Sequence, residues 1–465
     1  MIFSSFTFFI FFATIITIFL ILKNQKAKKI VLLFGSYFFY GYWDYRFLAL
    51  IIFTSIFDFF IGKKISTSDS EKQRKKLLLM SVFVNLGVLA FFKYFNFFIG
   101  SANLAFGGFG LNLGTLNIIL PVGLSFYTFE SMSYNIDVYK KKLKYCENIL
   151  DFLLFIAFFP KLVAGPIVRA SDFLPQLKNK IEIKSENFKF GIQIFIFGLI
   201  KKLVIADKLA FFVDNVFGNS NVFNSATIWF AVIAYSIQIY CDFSGYSDMA
   251  IGLARIMGFR LNENFNMPYL AMNISDFWKR WHISLSSWLR DYLYIPLGGS
   301  RKGNARTYIN LMITMILGGL WHGASWNFVF WGFWHGTGLA IYRIFEKKIP
   351  QTKNILSEIA SWTLTYLFVL VGWVFFRAQN ISTALEIIQK MFLPSQGKIQ
   401  WLYEPMFLAL PIVIIAHIIG REKFSNKYPA LNLTSFRGAF AIVFILLGIL
   451  YFSMKNVNPF IYFQF

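Results

Sequence analysis

Apolar runs long enough to cross a bilayer, separated by short polar breaks, set the pattern of this chain. The first extends from Met1 to Leu22 and ends at Lys23, Lys26, Lys28 and Lys29. One helical span needs about 20 apolar residues, so this run reads as a span. It has no basic start and no small-residue cleavage site, which argues against a removable signal peptide; the basic flank puts its N-terminus outside. Ile30–Gly62, roughly 33 residues between two basic breaks, is long enough to go out and back as short or re-entrant helices, turning near Tyr42–Arg46. Leu77–Phe98 is a further span, and the Gly- and Asn-rich stretch Gly100–Gly114 suits an outside loop.

Further apolar runs follow at Leu120–Val138, Ile149–Ala164, Phe188–Leu209 and Ala226–Tyr240. Cys241–Ser300 is too polar for helices that face lipid. Apolar character returns in the glycine-rich Thr307–Phe345 and in Ser361–Phe375, Met406–Ile419 and Ala439–Met454. The pattern predicts an all-α polytopic membrane protein of about 11–13 helices, short and re-entrant ones included. No polar linker and no internal repeat divides it, so 1–465 reads as one membrane domain with its motif-bearing core at about 160–345.

Composition agrees and narrows the classes. The 465 residues are 57% hydrophobic and 20% aromatic, and only 15% are charged, against roughly 25% in an average soluble domain. Too few polar groups remain to cover a soluble surface, so a soluble enzyme, a disordered chain and a disulfide-stapled secreted domain are excluded. The net charge of +22 has no contiguous polar face on which to bind nucleic acid. Its basic residues gather in the breaks Lys23–Lys29, Lys63–Lys76, Lys140–Lys144 and Arg421–Lys427, which marks those breaks as cytoplasmic. The two cysteines, Cys146 and Cys241, read as packing residues, and no metal-ligand spacing occurs.

Candidate chemistry concentrates between Tyr240 and Tyr342. Asp242 and Asp248 lie just past an apolar run, where ionisable groups face a cavity or a partner. Arg255 and Arg260 are the nearby candidates for that partner, leaving a helix-holding ion pair and a substrate contact both open. In Ile274–Tyr292, helical periodicity puts Lys279, His282, Ser286 and Arg290 on one face, with Trp278, Trp281, Trp288 and Tyr292 on the neighbouring one. An interfacial helix lying flat would explain the Trp and Lys residues but not the histidine. In Leu317–Gly336, His322 and His335 sit in an aromatic, glycine-rich run. Histidine is the side chain suited to proton transfer near neutral pH, and it is equally a helix–helix hydrogen-bonding residue. On a continuous helix the two histidines point about 220° apart, so at most one of them joins a site with His282. His417 lacks polar neighbours and reads as structural. No GxSxG elbow is present, which disfavours a serine hydrolase.

The run Asp276–His282, followed some 40 residues later by Leu320–Gly323, resembles the paired-histidine signature of the membrane-bound O-acyltransferases. Tyr240–Asp248, Gly165–Arg169, Asn264–Tyr269 and the ending Asn458–Phe463 resemble the branch that supplies the membrane subunit of bacterial alginate, peptidoglycan and exopolysaccharide O-acetylation systems. The resemblance covers nearly the whole chain. It implies His322 as the principal catalytic histidine, His282 as its partner, and a helical fold around a central funnel or tunnel. It further implies a multi-pass protein of the bacterial inner membrane. Such a protein takes acetyl from a cytoplasmic thioester donor, acetyl-CoA or another acyl thioester, with no permanently bound cofactor. It passes the acetyl group outward, often to an extracytoplasmic SGNH-type acetyltransferase.

Acyl transfer needs a general base and a stabilised oxyanion, and a histidine in a dry aromatic pocket keeps the neutral form that accepts a proton. Trp321 and Trp326 are the expected walls of that pocket. Lys279, Arg280 and Arg290 are the cations expected to attract coenzyme A phosphates. Two other readings stand beside this one: D-alanyl transfer to teichoic acid from a carrier-protein thioester, and a proton-coupled transporter or flippase built on Asp242, Asp248 and the histidines. The charge asymmetry predicts orientation. A cysteine at Ser68 should resist an impermeant thiol reagent in intact cells, whereas cysteines within Gly100–Gly114 should react; labelling at Ser68 would invert the topology.

Overall fold

The computed structural model describes residues 1–110, 112–346, 354–393, 399–420, 435–452 and 460–461. The basic stretch Arg421–Lys427 lies outside the described residues, as does the ending Asn458–Phe463 apart from Phe460 and Ile461. Among the described residues the protein is all α, with one isolated bridge between Phe223 and Ile399. Among the described residues, four helical stretches are long and apolar enough to cross a membrane: Tyr45–Thr67, Glu71–Phe109, Ser225–Ile256 and Ile355–Arg377. The protein is thus a polytopic helical membrane protein. Two compact units are distinguished, one comprising Met1–Ile192 and Met249–Asn262, the other Gln193–Asp248 and Glu263–Phe465.

In the first unit, α1 (Phe6–Ile21), α2 (Gln25–Gly41) and α3 (Leu48–Thr67) follow the apolar runs, with the chain reversing at Tyr42–Asp44. Next come α4 (Glu71–Leu89), a π-turn at Ala90–Tyr94 and α5 (Phe95–Phe106). The expected loop at Gly100–Gly114 is therefore helical through Phe106. Two asparagines of α5, one of them within the stretch, bond the chain that follows. Asn96 and Asn103 each exchange a pair of hydrogen bonds of 2.8–3.0 Å with the backbone of Leu116 and Leu113, tying the returning chain to the helix. Composition marked the stretch as polar but not that its polar groups bond one another.

The unit continues through α6 (Leu124–Tyr139), α7 (Ile149–Ala157), α8 (Phe159–Leu162) and α9 (Ala170–Lys178). The expected single run Ile149–Ala164 is thus two helices, broken at Phe158 ahead of Pro160. Polar contacts at the centre hold these helices together. The buried Asp58 carboxylate on α3 accepts from Ser81 and Asn85 of α4 and from Asn135 of α6, at 2.6, 2.8 and 2.8 Å. Lys161 pairs with Glu130, whose other oxygen accepts from the Val168 N–H at 2.9 Å. The Gly165–Arg169 segment is thereby fastened to α6.

The second unit takes over within α10 (Ser185–Leu199), which passes through a π-turn at Ile200–Ala206 into α11 (Asp207–Gly218). The helix α12 (Ser225–Ile256) is 32 residues long and runs straight through the polar Cys241–Asp248 stretch. Its apolar window is 78% buried, so it faces protein and not lipid, in line with its polarity. Two short helices, α13 (Ile274–Arg280) and α14 (Ile283–Leu289), precede the antiparallel pair α15 (Gly303–His322) and α16 (Trp326–Phe345). After these come α17 (Ile355–Arg377), α18 (Ile381–Phe392), α19 (Met406–Ile419) and a helix at Phe436–Phe452.

Glycines let α15 and α16 touch. A Cβ on Gly319 would overlap the Phe328 carbonyl, and one on Gly332 would lie 2.8 Å from Ile316 Cα. This is the close small-residue packing expected where hydrocarbon offers no hydrophobic drive between helices. The Gly319→Ala variant should therefore lower the melting temperature in detergent. Gly87→Ala, with nothing within 4 Å of its added methyl, should be neutral or stabilising by up to about 1 kcal/mol. Equal melting temperatures for the two variants would contradict the backbone contact.

Candidate active site

The site begins with a break in a helix. Periodicity treats Ile274–Tyr292 as continuous, but α13 ends at Arg280 and α14 starts at Ile283. Between them Trp281 is extended and His282 has φ 43° and ψ 54°, the left-handed region that non-glycine residues seldom adopt. Such a residue stores on the order of 1–3 kcal/mol of strain and persists only where its surroundings hold it. Here a neighbouring segment does so: Asn266 N–H donates to the Arg280 carbonyl and Ile283 N–H to the Asn264 carbonyl, each at 2.9 Å. The Asn264 side chain then faces the ring. Its Oδ1 accepts from the Ser284 hydroxyl at 2.8 Å and from the Ser284 N–H at 3.3 Å, and lies 3.1 Å from His282 Nδ1. Phe243 meets the imidazole edge-on at 4.6 Å. His282 is fully buried, so its ring packs against protein on every side.

A second break supplies the second histidine. His322 is the last residue of α15, and Gly323–Ser325 turn the chain into α16. Its ring lies 5.0 Å from Trp331, 5.1 Å from Trp321, 5.2 Å from Phe376 and 6.3 Å from His282, centroid to centroid. The two histidines thus come together from separate helix ends. Because the helix breaks, the 220° relation between His322 and His335 does not apply. His335 lies on the other side of Trp331, 4.8 Å from that ring, stacked on Phe277 at 6.2 Å and against Trp278 at 5.2 Å. His417 donates within its own helix to the Val413 carbonyl at 2.8 Å and stacks on Tyr269.

A cavity of about 360 Å³ opens beside His322. Its wall carries Lys279, Arg290, Ser275, Ser286, Trp278 and Trp331, set among apolar residues such as Leu311, Met315 and Leu339. Of the expected cations, Lys279 and Arg290 line it. Arg280 does not: its guanidinium bonds Asp276 at 2.9 Å and the Asn266 carbonyl at 3.3 Å. Of the expected aromatic walls, Trp321 is buried behind the histidines, 5.9 Å from His282. Trp326, at the start of α16, is 50% exposed and is not a wall of the cavity. Trp331 and Trp278 stand in their place. One helical turn and a half past the glycine break, Trp331 reaches His322 only because α16 folds back on α15. No spacing rule in the sequence marked it.

The two carboxylates of α12 belong to buried ion pairs. Lys202 Nζ bridges Asp207 at 2.8 Å and Asp242 at 2.6 Å, and Asp242 Oδ2 also accepts from the Ile461 N–H at 2.7 Å. Lys201 pairs with Asp248 at 2.6 Å. The partners are therefore lysines presented by the π-turn at Ile200–Ala206, not Arg255 and Arg260; Arg255 lies instead over the Phe190 ring. Asp242 and Asp248 are not walls of the cavity. Cys146 and Cys241 are both buried free thiols. Among the described residues, no group of three or more His, Cys, Asp or Glu side chains is placed to hold a metal.

A comparison with known families decides the class. The model of the membrane-bound O-acyltransferase family matches residues 37–382. The chain belongs to that family. Among curated relatives, the probable alginate O-acetylase AlgI of Pseudomonas putida is 40% identical across the whole of both chains. Its Pseudomonas aeruginosa counterpart is 43% identical over 92% of this chain and 83% of its own. A peptidoglycan O-acetyltransferase of Helicobacter pylori is 38% identical over 79% and 74%. A teichoic acid D-alanyltransferase of Bacillus subtilis is 29% identical over 57% and 70%. This chain is accordingly a multi-pass membrane acyltransferase. Within it the corrected pairing of α12 is open to test. Lys202→Met leaves buried carboxylates uncompensated and should lower stability by about 3–5 kcal/mol. Arg255→Met should cost under about 1 kcal/mol. The reverse order in thermal melts would restore arginine as the partner.

Proposed function

We propose that the chain takes acetyl from a cytoplasmic thioester, acetyl-CoA, and moves it across the inner membrane for O-acetylation of an extracytoplasmic polysaccharide. The observation that carries the reading is the position of His322, on the wall of a cavity that also carries Lys279 and Arg290. In this reading His322 accepts the proton of an acceptor hydroxyl as its oxygen attacks the thioester carbonyl. The tetrahedral intermediate then collapses, the C–S bond breaks, and the protonated imidazole returns the proton to the leaving thiolate. General-base positioning of this kind contributes about 10²–10⁴-fold. Lys279 and Arg290 attract the phosphates of the donor, and His282 supports His322 from behind the wall. The outward half of the reaction delivers acetyl to an SGNH-type acetyltransferase partner.

The relatives named for alginate and peptidoglycan acetylation support acetyl as the group and an exported polymer as its destination. Those matches span 79–100% of this chain at 38–43% identity, against 57% at 29% for the D-alanyltransferase.

Two variants test the reading. His322→Ala should stay folded and inserted while polymer acetylation drops by at least about 10²-fold, measured in a strain lacking any paralogue. Near-normal acetylation would remove His322 from the chemistry. Lys279→Gln should raise the apparent donor KM, with a salt dependence that Arg280→Gln does not share.

A further inference from the structure

We propose that Asn264 is a positioning residue that fixes the tautomer of His282, so that this histidine stands beside His322 as a proton acceptor at Nε2. The proposal rests on the acyl-transfer reading for its consequence, but the tautomer itself follows from three contacts. The Ser284 backbone N–H faces the Asn264 side-chain oxygen at 3.3 Å, and a backbone N–H can only donate. The atom it faces is therefore the amide oxygen and not the amide nitrogen, and the Ser284 hydroxyl, 2.8 Å away, donates to that oxygen as well. Turned about, the amide would set its NH2 against that N–H. The amide nitrogen meanwhile donates to the Ser247 hydroxyl of α12 at 3.2 Å.

The oxygen so oriented can only accept, and it lies 3.1 Å from His282 Nδ1. In the neutral ring Nδ1 must then carry the proton and Nε2 the lone pair, because the hydrogen bond made at one nitrogen determines the chemistry of the other. The arrangement is rigid. Asn264, Ser284 and His282 are buried, and the Asn264 carbonyl also receives the Ile283 N–H at 2.9 Å, so one residue holds the strained turn and the ring it carries. Asn264 does not line the cavity. Its role is to keep Nε2 of His282 a proton acceptor behind the cavity wall, 6.3 Å from His322 ring to ring, where the opposite tautomer would make it a donor.

The test uses the full chain in lipid nanodiscs with ring-15N histidine. The chain has four histidines, and His282→Gln identifies the resonances of His282. Without any donor or acceptor present, the wild type should show His282 protonated at Nδ1 and bare at Nε2. Asn264→Asp, which keeps an acceptor, should preserve that pattern. Asn264→Leu should lose it, and kcat for acetyl transfer should fall about 10-fold or more with donor KM unchanged. A merely structural role would not move the tautomer or split kcat from KM in this way. A wild-type spectrum with the proton on Nε2 overturns the proposal, as does Asn264→Leu with unchanged tautomer and turnover. If Asn264→Leu does not fold, the wild-type and Asn264→Asp spectra decide alone. Acetylation that survives His322→Ala would defeat the catalytic reading while leaving the tautomer standing.

Discussion

A polar group at membrane depth finds no water, so a buried ionisable side chain is costly unless another part of the chain meets it. That constraint organises both units. In the first, Asp58 gathers donors from α4 and α6, and Glu130 holds Lys161 and the Val168 N–H. In the second, Lys202 stands between two carboxylates, one of which also takes the Ile461 N–H. Buried ion pairs of this kind add little net stability over an apolar replacement, yet removing one partner is severe. Their effect is to specify which helices meet and in what register.

The paired histidines depend on the same economy of polar groups. Each sits where a helix stops: His282 in a left-handed residue between α13 and α14, and His322 at the end of α15. A helix end leaves backbone groups without intrahelical partners, and these must be met locally. At His282 they are met by Asn264 and Asn266, which turns an otherwise unfavourable break into a fixed mounting for an imidazole. At His322 the glycines let α16 return so closely that Trp331 closes over the ring.

The cavity that results is mostly apolar, with a few polar groups converging on it. Lys279 and Arg290 reach it from either side of the helix break, and Ser275 and Ser286 add hydroxyls. An apolar lining keeps the dielectric low, which strengthens any electrostatic contact made to a reacting carbonyl. Arg280, although next to Lys279 in sequence, is held outside by Asp276 one helical turn away. A lysine and an arginine that adjoin in the chain are thus divided, one to the cavity wall and one to an ion pair outside it.

By itself the sequence determined the class, since span-length apolar runs and the shortage of charge admit only a helical membrane protein. It also marked the candidate site, because the polar residues of a membrane chain stand out against an apolar background; the paired histidines and the family they point to were legible for that reason. Periodicity, however, assumes that a helix continues. It therefore made one face of Lys279, His282, Ser286 and Arg290, and one helix of His322 and His335. Only the tertiary structure showed both helices broken, by a left-handed residue braced from 18 residues away in one case and by a glycine turn in the other. It alone assigned Lys201 and Lys202 to the α12 carboxylates, put Trp331 in the place expected for Trp326, and brought Asn264 to His282. Contacts of this kind join residues distant in the chain, and no local pattern of polarity encodes which of many buried partners will meet.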